Sequence, residues 1–168
     1  MANNQPKTTA TLREISDGAR GTLETLKLMR AVTRQGKKSL IIRQVATRLI
    51  EDLGQKNYSG EMERIHAFVR DRIRYAKDIR GIETIQTPEE VLKSGQGDCD
   101  DKSILVATLL ESIGHPTRFV AMGFKNGQYC HVYVETKIGE KWVGVETTEP
   151  VAFGWTPNGV TSRMVIHN

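Results

Sequence analysis

The segment GQGDCDDKSILVATLLESIG, residues 95–114, decides the architecture of this chain. Between residues 104 and 110 it is apolar on almost every side, which predicts a helix buried in the centre of the fold. Asp98 can cap this helix at its N-terminus, and Gly114 marks its end. Cys99, one of only two cysteines, is therefore expected in the first turn of a buried helix.

Helical periodicity precedes this segment and strand periodicity follows it. Apolar residues at helical spacing predict helices near residues 22–34, between Ser39 and Gly54, and from Ser59, and TPEE at 87–90 is typical of a helix start. Beyond the central helix the period changes to two in the segments TRFVAMGF, QYCHVYVET and KWVGVETT. The order predicts an α+β fold in which helices pack on an antiparallel β-meander, and we expect an irregular tail from Pro150.

Length and composition predict one globular domain. The chain has 168 residues, of which 38% are hydrophobic. We expect a flexible segment over residues 1–20 and a single domain over 21–168, with a helical part (21–115) and a β part (116–168). The sequence has no apolar run long enough for a membrane helix and no apolar core of a signal peptide at its start, which favours a cytoplasmic protein with free thiols.

The charge of the chain is unevenly distributed. Residues 1–80 carry 17 Lys and Arg against 9 Asp and Glu, whereas the remainder carries 7 against 11. The basic residues are spread through helices with no aromatic residues between them. This pattern favours a solvated helical surface over a nucleic-acid site, and nothing indicates membrane binding.

Cys99 is a candidate nucleophile because of its position. A helix N-terminus favours the thiolate over the thiol. Asp98, Asp100 and Asp101 oppose that effect, so the thiol requires a basic partner. The glycines at 95 and 97 leave room for a substrate backbone. A small apolar residue that merely falls at a helix start is the alternative interpretation.

His131 is the histidine best placed to be that partner. His66 lies on a helix, His167 lies in the tail, and His115 follows the far end of the central helix, more than about 20 Å from Cys99. His131 lies near the start of the middle strand of the meander. Cys130 should face the other side of this strand as a buried, inert thiol. A purely structural histidine remains the alternative for His131.

Glu146 is the acid best placed to orient the imidazole. Alternation on the next strand puts Trp142, Gly144 and Glu146 on one face, beside His131. A carboxylate there can hold the imidazole tautomer and stabilise the imidazolium. Alone, Glu146 would be interpreted as a solvated strand end, but the three residues together make a nucleophile, a base and an orienting acid.

Over about residues 60–150 the sequence resembles the transglutaminase-like superfamily of papain-type cysteine enzymes. The motifs are G-x-C before an apolar helix that ends in G-x-P-x-R, a histidine 32 residues after the cysteine, and W-x-x-x-acid, whose acid lies 15 residues after the histidine. The forms GDCDDK and HVYVE are most similar to short transglutaminase-like proteins encoded by phages and prophages.

The resemblance implies a papain-like fold and acyl-transfer chemistry. Cys99 would be the nucleophile, His131 the base, and Glu146 the third member, where the family usually has aspartate. The candidates for substrate or oxyanion contacts are Gln96, Tyr75 and Asp98. The expected substrate is a peptide or carboxamide, with hydrolysis favoured over amine transfer.

Partners other than substrate are expected among phage structural or assembly proteins, with possible virion association. No cofactor or metal is expected, because Cys99 and His131 lack further soft ligands and D-x-D-D is too short for an EF-hand loop. A module on the same fold that binds a peptide or a virion protein without catalysis is the alternative function.

Overall fold

The computed structural model of the chain describes residues 16–77 and 84–168. In these ranges the helices are α1 (Gly18–Gly36), α2 (Leu40–Ile50), α3 (Tyr58–Arg72), α4 (Pro88–Ser94) and α5 (Cys99–Ser112). The strands are β1 (Arg74–Tyr75), β2 (Gln96–Gly97), β3 (Thr117–Gly123), β4 (His131–Ile138), β5 (Lys141–Val145) and β6 (Ser162–His167). The α+β prediction is confirmed.

The helix boundaries follow local chemistry. At the start of α4 the Thr87 side chain accepts a hydrogen bond from the Glu90 backbone N–H, and Pro88 occupies the first turn. Of the predicted flexible segment 1–20, residues 1–15 lie outside the described residues, and residues 18–20 form the first turn of α1. Within the described ranges, no helix is long and apolar enough to cross a membrane.

The main sheet is antiparallel, with the strand order β5-β4-β3-β6. Strands β3, β4 and β5 are the predicted meander. Strands β1 and β2 form a separate two-residue parallel pair that places Tyr75 beside Gly97.

The prediction of an irregular tail is wrong for its last part. Strand β6 pairs with β3 along its length, from Gly123 opposite Ser162 to Arg118 opposite His167. The backbone of β3 would otherwise be an unpaired edge, and β6 satisfies its hydrogen bonds. The buried Ile166 also contributes an apolar side chain to the core.

Helix α5 lies at the centre of the fold. It contacts the other four helices and strands β2, β3 and β4. Its residues 101–110 are all buried, as the apolar pattern predicts. The first turn of this central helix is therefore held from several directions, which gives the side chain of Cys99 a defined position.

Candidate active site

A capping box fixes the N-terminus of α5. The Asp98 carboxylate accepts hydrogen bonds from the backbone N–H groups of Asp100 (3.0 Å) and Asp101 (3.1 Å). The Asp101 side chain in turn accepts from the Asp98 N–H. The predicted cap is confirmed, and Cys99 is the first residue of the helix.

A second set of contacts supports this turn from outside the helix. The buried Asp101 carboxylate accepts from the Gln86 backbone N–H (2.8 Å) and from the Gln86 side-chain amide (2.6 Å). Gly97 packs directly on Asp101, because a Cβ at position 97 would lie 2.6 Å from the Asp101 Cβ. The glycine is thus needed for this close approach.

The start of α5 is attached to the start of β4. The Val132 backbone N–H hydrogen-bonds the Cys99 thiol, and the Ser103 hydroxyl donates to the Val132 carbonyl at 3.3 Å. Strand β5 pairs with β4 only from Val134 onward, so the first residues of β4 are available to α5. This attachment places Cys99 in contact with Val132, the residue that follows His131.

The partly exposed His131 and the buried Glu146 form a hydrogen-bonded pair. The distance from His131 Nε2 to Glu146 Oε2 is 2.7 Å, and Glu146 is only 1% exposed. Since the ionised carboxylate can only accept, Nε2 carries the hydrogen and Nδ1 is the nitrogen that can take up a proton. The pair therefore has the arrangement of a histidine base with its orienting acid.

The charge of Glu146 is stabilised by several donors. Its other oxygen accepts from the backbone N–H groups of Thr148 (2.5 Å) and Glu149 (3.3 Å). Burial alone would raise the pKa of Glu146, but the hydrogen bond and charge of His131, with these two N–H groups, hold that pKa below its ordinary value. Glu146 is consequently a carboxylate at neutral pH.

His66 positions the backbone of Glu146, a role that the sequence analysis missed. Its Nε2 lies 2.6 Å from the Glu146 carbonyl oxygen, to which it donates, and its side chain is buried. Burial lowers the pKa of His66, which favours the neutral imidazole. The available signal was its place in the inward stripe of α3 with Met62, Ile65 and Val69, where a buried polar ring requires a partner.

A buried lysine adds positive charge near the pair. The Lys102 ammonium donates to the carbonyls of Ile73 (2.6 Å) and Arg70 (3.3 Å), at the C-terminal end of α3. Burial lowers the pKa of Lys102, and the negative charge of Glu146 opposes that effect. Lys102 therefore links the α3 terminus to α5 while partly compensating the Glu146 carboxylate.

Cys99 and His131 line the same cleft, which has a volume of about 470 Å³. Asp100 and Val132 border it on the side of α5 and β4. The opposite wall is the first half of α1. Its lining residues are mostly small, with one leucine and one methionine: Gly18, Gly21, Thr22, Thr25, Leu26 and Met29. The sequence analysis did not connect α1 with the site, because only packing brings it there.

The surroundings of Cys99 strongly favour its protonated thiol over the thiolate. Burial raises the pKa of Cys99, and the carboxylates of Asp100 and Asp98 raise it further, against the Val132 N–H that lowers it. The sulfur also donates to Asp100 Oδ1 at 3.5 Å. The expectation that the helix terminus would favour the thiolate does not hold, because burial and the carboxylates outweigh it.

The predicted burial of Cys130 is wrong. This residue is exposed and precedes the first residue of β4, so strand alternation does not apply to it. Its backbone N–H bonds the Met122 carbonyl, but its side chain is open to solvent. Cys130 is therefore the accessible thiol and Cys99 the protected one.

Iodoacetamide at pH 7.5 should label Cys130 of the native protein well before Cys99, because one thiol is exposed and the other is buried with a raised pKa. Peptide mass mapping over time measures both rates, and Cys130→Ser should leave only the slow reaction. In denaturant the two thiols should react at similar rates. Faster labelling of Cys99 in the native protein would contradict this prediction and indicate a preformed thiolate.

The other three predicted site residues lie around the α5 start rather than in the cleft. The Asp98 carboxylate caps α5, the Gln96 side-chain oxygen accepts from Arg74, and Tyr75 is 46% exposed in the β1–β2 pair. Among the described residues that line the Cys99 cleft, none of these three occurs. The backbone N–H of Cys99, at the helix N-terminus, is the donor placed to meet an oxyanion.

Acidic side chains surround the thiol closely. One ligand atom from each of Asp98, Cys99 and Asp100 lies within 4.8 Å of the others, so these atoms can approach one ion. The two carboxylates are hard oxygen donors of the kind that Ca²⁺ prefers. Further ligands would have to come from backbone carbonyls, water or substrate.

The family assignment comes from the sequence. The profile of the transglutaminase-like superfamily matches residues 43–147, a range that includes the cysteine, the histidine and the glutamate of the cleft. No curated protein matches the chain.

Solved structures share the fold at low sequence identity. A proposed protease from Parabacteroides distasonis superposes with a TM-score of 0.61 at 14% identity, covering 85% of this chain and 29% of that one. A proposed cysteine protease from Cytophaga hutchinsonii gives 0.52 at 16%, covering 76% and 46%. Calcium-bound LapG of Legionella pneumophila gives 0.53 at 16%, covering 75% and 76%.

This chain spans less than half the length of the first two of these proteins. At such identities the likeness establishes a cysteine-protease-type fold and nothing finer. Together with the profile that covers residues 43–147, it shows that the chain belongs to the transglutaminase-like superfamily.

Proposed function

We propose that this protein is a cysteine-dependent acyl-transfer enzyme that hydrolyses a peptide or carboxamide bond through Cys99, His131 and Glu146. The observation that supports it most directly is the 2.7 Å contact between His131 Nε2 and the buried Glu146 carboxylate. A buried carboxylate that fixes the tautomer of a histidine, in a cleft that the histidine shares with a cysteine, is the arrangement that a histidine base requires.

In the first half of the reaction the thiol attacks the carbonyl carbon. The S–H proton passes to His131 Nδ1 as the C–S bond forms, because Cys99 is protonated at rest. The Cys99 backbone N–H then stabilises the oxyanion. His131 donates the proton to the leaving nitrogen, the C–N bond breaks, and a thioester and a free amine result.

In the second half a water molecule attacks the thioester. His131 accepts a proton from the water, the C–S bond breaks, and the thiolate recovers its proton from the imidazolium. Glu146 stays ionised throughout, which stabilises the positive charge that forms on His131. Transfer to an amine in place of water follows the same steps and yields a new amide.

An activated ester tests this proposal without a known substrate. We expect p-nitrophenyl acetate to give a burst of nitrophenol and an acetyl thioester on Cys99, measured by intact-protein mass spectrometry. The exposed second thiol is removed by working in Cys130→Ser. The further change Cys99→Ala should abolish the burst and the adduct. Acetylation that is equal in the two proteins would contradict the enzymatic assignment.

A second candidate function is supported by the raised pKa of Cys99. A thiol held protonated by burial and two carboxylates is also consistent with a cleft that holds a peptide without cleaving it. A virion protein is the partner class that the resemblance to phage proteins suggests. In this case Cys99→Ala would bind that peptide with unchanged affinity, while the ester would give no burst with the wild-type protein.

Contrary to the expectation from the sequence that no metal binds, we propose that Ca²⁺ binds the Asp98 and Asp100 carboxylates, because one atom of each can approach the same ion beside Cys99 and LapG has been crystallised with calcium. When bound, the cation would neutralise the two charges that raise the pKa of Cys99.

Added Ca²⁺ should therefore raise the melting temperature and speed iodoacetamide labelling of Cys99, with both effects reversed by EGTA. Asp100→Asn should weaken both effects, because one of the two carboxylate charges is lost. Asp52→Asn serves as the control, since Asp52 lies on the surface in an ion pair with Arg64, remote from the cleft. An unchanged melting temperature at millimolar Ca²⁺ would refute calcium binding.

A further inference from the structure

A second cavity lies on the far side of His131. Its volume is about 400 Å³, and His131 and Glu146 line it whereas Cys99 does not. His131 and its neighbour Cys130 line the Cys99 cleft as well, so these two consecutive residues border both spaces. We refer to the second space as the Trp155 pocket.

The Trp155 pocket is largely apolar. Its apolar lining consists of Met122, Phe124, Val151, Trp155 and Pro157. Phe124 is 51% exposed and Trp155 is 37% exposed, so two large aromatic side chains are open to solvent beside the candidate base. Exposed aromatic side chains next to a polar site are typical of a surface that receives a ligand.

The wall that carries Trp155 is fixed to the sheet. The Gly154 backbone N–H donates to the Gly144 carbonyl at 2.9 Å, and a Cβ at position 144 would lie 2.3 Å from the Trp155 carbonyl oxygen. The glycine in β5 thus permits direct backbone contact with the segment after Pro150. This contact makes the pocket a preformed feature of the fold.

The chemistry of acyl transfer assigns the two spaces to the two halves of a substrate. The nucleophile retains the acyl half, so that half must lie on the side of Cys99. The base protonates the leaving nitrogen, so the amine half must lie where His131 can reach it. The Trp155 pocket borders the base and not the nucleophile, which places it on the amine side.

We propose that the Trp155 pocket binds an apolar or aromatic side chain on the amine half of the substrate, the residue that follows the scissile bond. This inference rests on the proposed function. The exposed carboxylate of Glu149 at the same pocket complements the ammonium group that the released amine becomes. Trp155 and Phe124 are the residues that determine this specificity.

Trapping of the acyl-enzyme by added amines tests the proposal. A site that accepts the leaving amine also accepts an attacking one, because attack of an amine on the thioester is the reverse of the first half of the reaction. The acetyl-enzyme formed from p-nitrophenyl acetate is mixed with glycinamide or phenylalaninamide. The amine nitrogen attacks the thioester, the C–S bond breaks, and the amine proton passes through His131 to the thiolate.

Chromatography measures the acetylated amide and the acetate from hydrolysis, and their ratio gives the efficiency of each amine. In Cys130→Ser protein we expect phenylalaninamide to trap at least about tenfold better than glycinamide, since apolar pockets discriminate by about 10–200-fold per group. Trp155→Ala and, separately, Phe124→Ala should reduce this preference to about threefold or less. Tyr58→Ala, which removes an exposed aromatic side chain on α3 away from both spaces, should keep the preference.

The outcomes separate the two proposals. If an acetyl-enzyme forms but the two amines trap it equally, or if the preference survives in both Trp155→Ala and Phe124→Ala, the pocket assignment is overturned while the enzymatic function stands. If no acetyl-enzyme forms on Cys99, the enzymatic function is overturned and the pocket assignment falls with it.

Discussion

Replacing Glu146 by glutamine should lower the rate of Cys99 acylation by about 10²–10⁴-fold in a protein that still folds. The carboxylate now accepts from His131 through one oxygen and from the Thr148 and Glu149 backbone N–H groups through the other. Glutamine has one oxygen and one NH₂ group, so it cannot accept at both places. If the oxygen serves the two backbone groups, the amide meets Nε2 as a donor and favours the wrong imidazole tautomer.

Stopped-flow measurement of the nitrophenol burst gives the acylation rate, and circular dichroism checks the fold. Glu146→Asp is the matched variant, because it keeps the charge and has the residue more usual in the family. It should retain considerably more activity than the glutamine variant. Equal acylation rates in wild type and Glu146→Gln would contradict the orienting role and make Glu146 a structural residue.

Glu146→Gln should also change how the free energy of unfolding depends on pH. The folded pKa of Glu146 lies below its ordinary value of 4.5, which approximates the unfolded state. Its charged form thus stabilises the fold fully above about pH 4.5, and that contribution disappears as the pH falls through the folded pKa. Urea denaturation at pH 7 and pH 3 should show a smaller difference in unfolding free energy for Glu146→Gln than for wild type.

Replacing Gly97 by alanine should destabilise the fold by about 1–3 kcal/mol and impair the site at the same time. The new Cβ would lie 2.6 Å from the Asp101 Cβ and 3.1 Å from Asp101 Oδ2. Asp101 cannot move away easily, because it belongs to the first turn of α5 and holds Gln86 through both oxygens. The strain must displace the turn that carries Cys99.

Gly54→Ala is the matched control, because no atom lies within 4 Å of its added Cβ. Urea denaturation measures the stability of both variants, and the nitrophenol burst measures acylation. Because a displacement of about 1 Å can cost 10²-fold in rate, we expect at least a tenfold slower burst for Gly97→Ala alone. Equal urea midpoints and equal acylation rates for the two alanine variants would show that the first turn of α5 tolerates a Cβ at position 97.

Several features of the molecule could be predicted because they depend on neighbouring residues along the chain. The central helix follows from its apolar run, its cap follows from Asp98, and the strand order β3, β4, β5 follows from alternation with short turns. The proximity of His131 and Glu146 was predicted from alternation along adjacent strands, although Glu146 lies one residue after the end of β5. Periodicity and capping are local physics, so the sequence expresses them directly.

Tertiary structure alone decided the features that depend on residues distant in the chain. His66 meets the Glu146 carbonyl across 80 residues of sequence, and α1 forms one wall of the Cys99 cleft. No local pattern records such contacts, because they arise only when separate elements pack around a shared core.

For the two cysteines as well, the sequence determined some properties and the tertiary structure others. The acidic neighbours of Cys99 can be read from the sequence, but the sign of its pKa shift depended on burial, which only the packed helix provides. Cys130 lies one residue before β4, so its exposure depended on where the strand begins in three dimensions. The sequence by itself determined the central helix, the three strands of the meander and the three reactive residue types. Packing determined the protonation, accessibility and surroundings of those residues, because burial and electrostatic interaction are properties of distances in space.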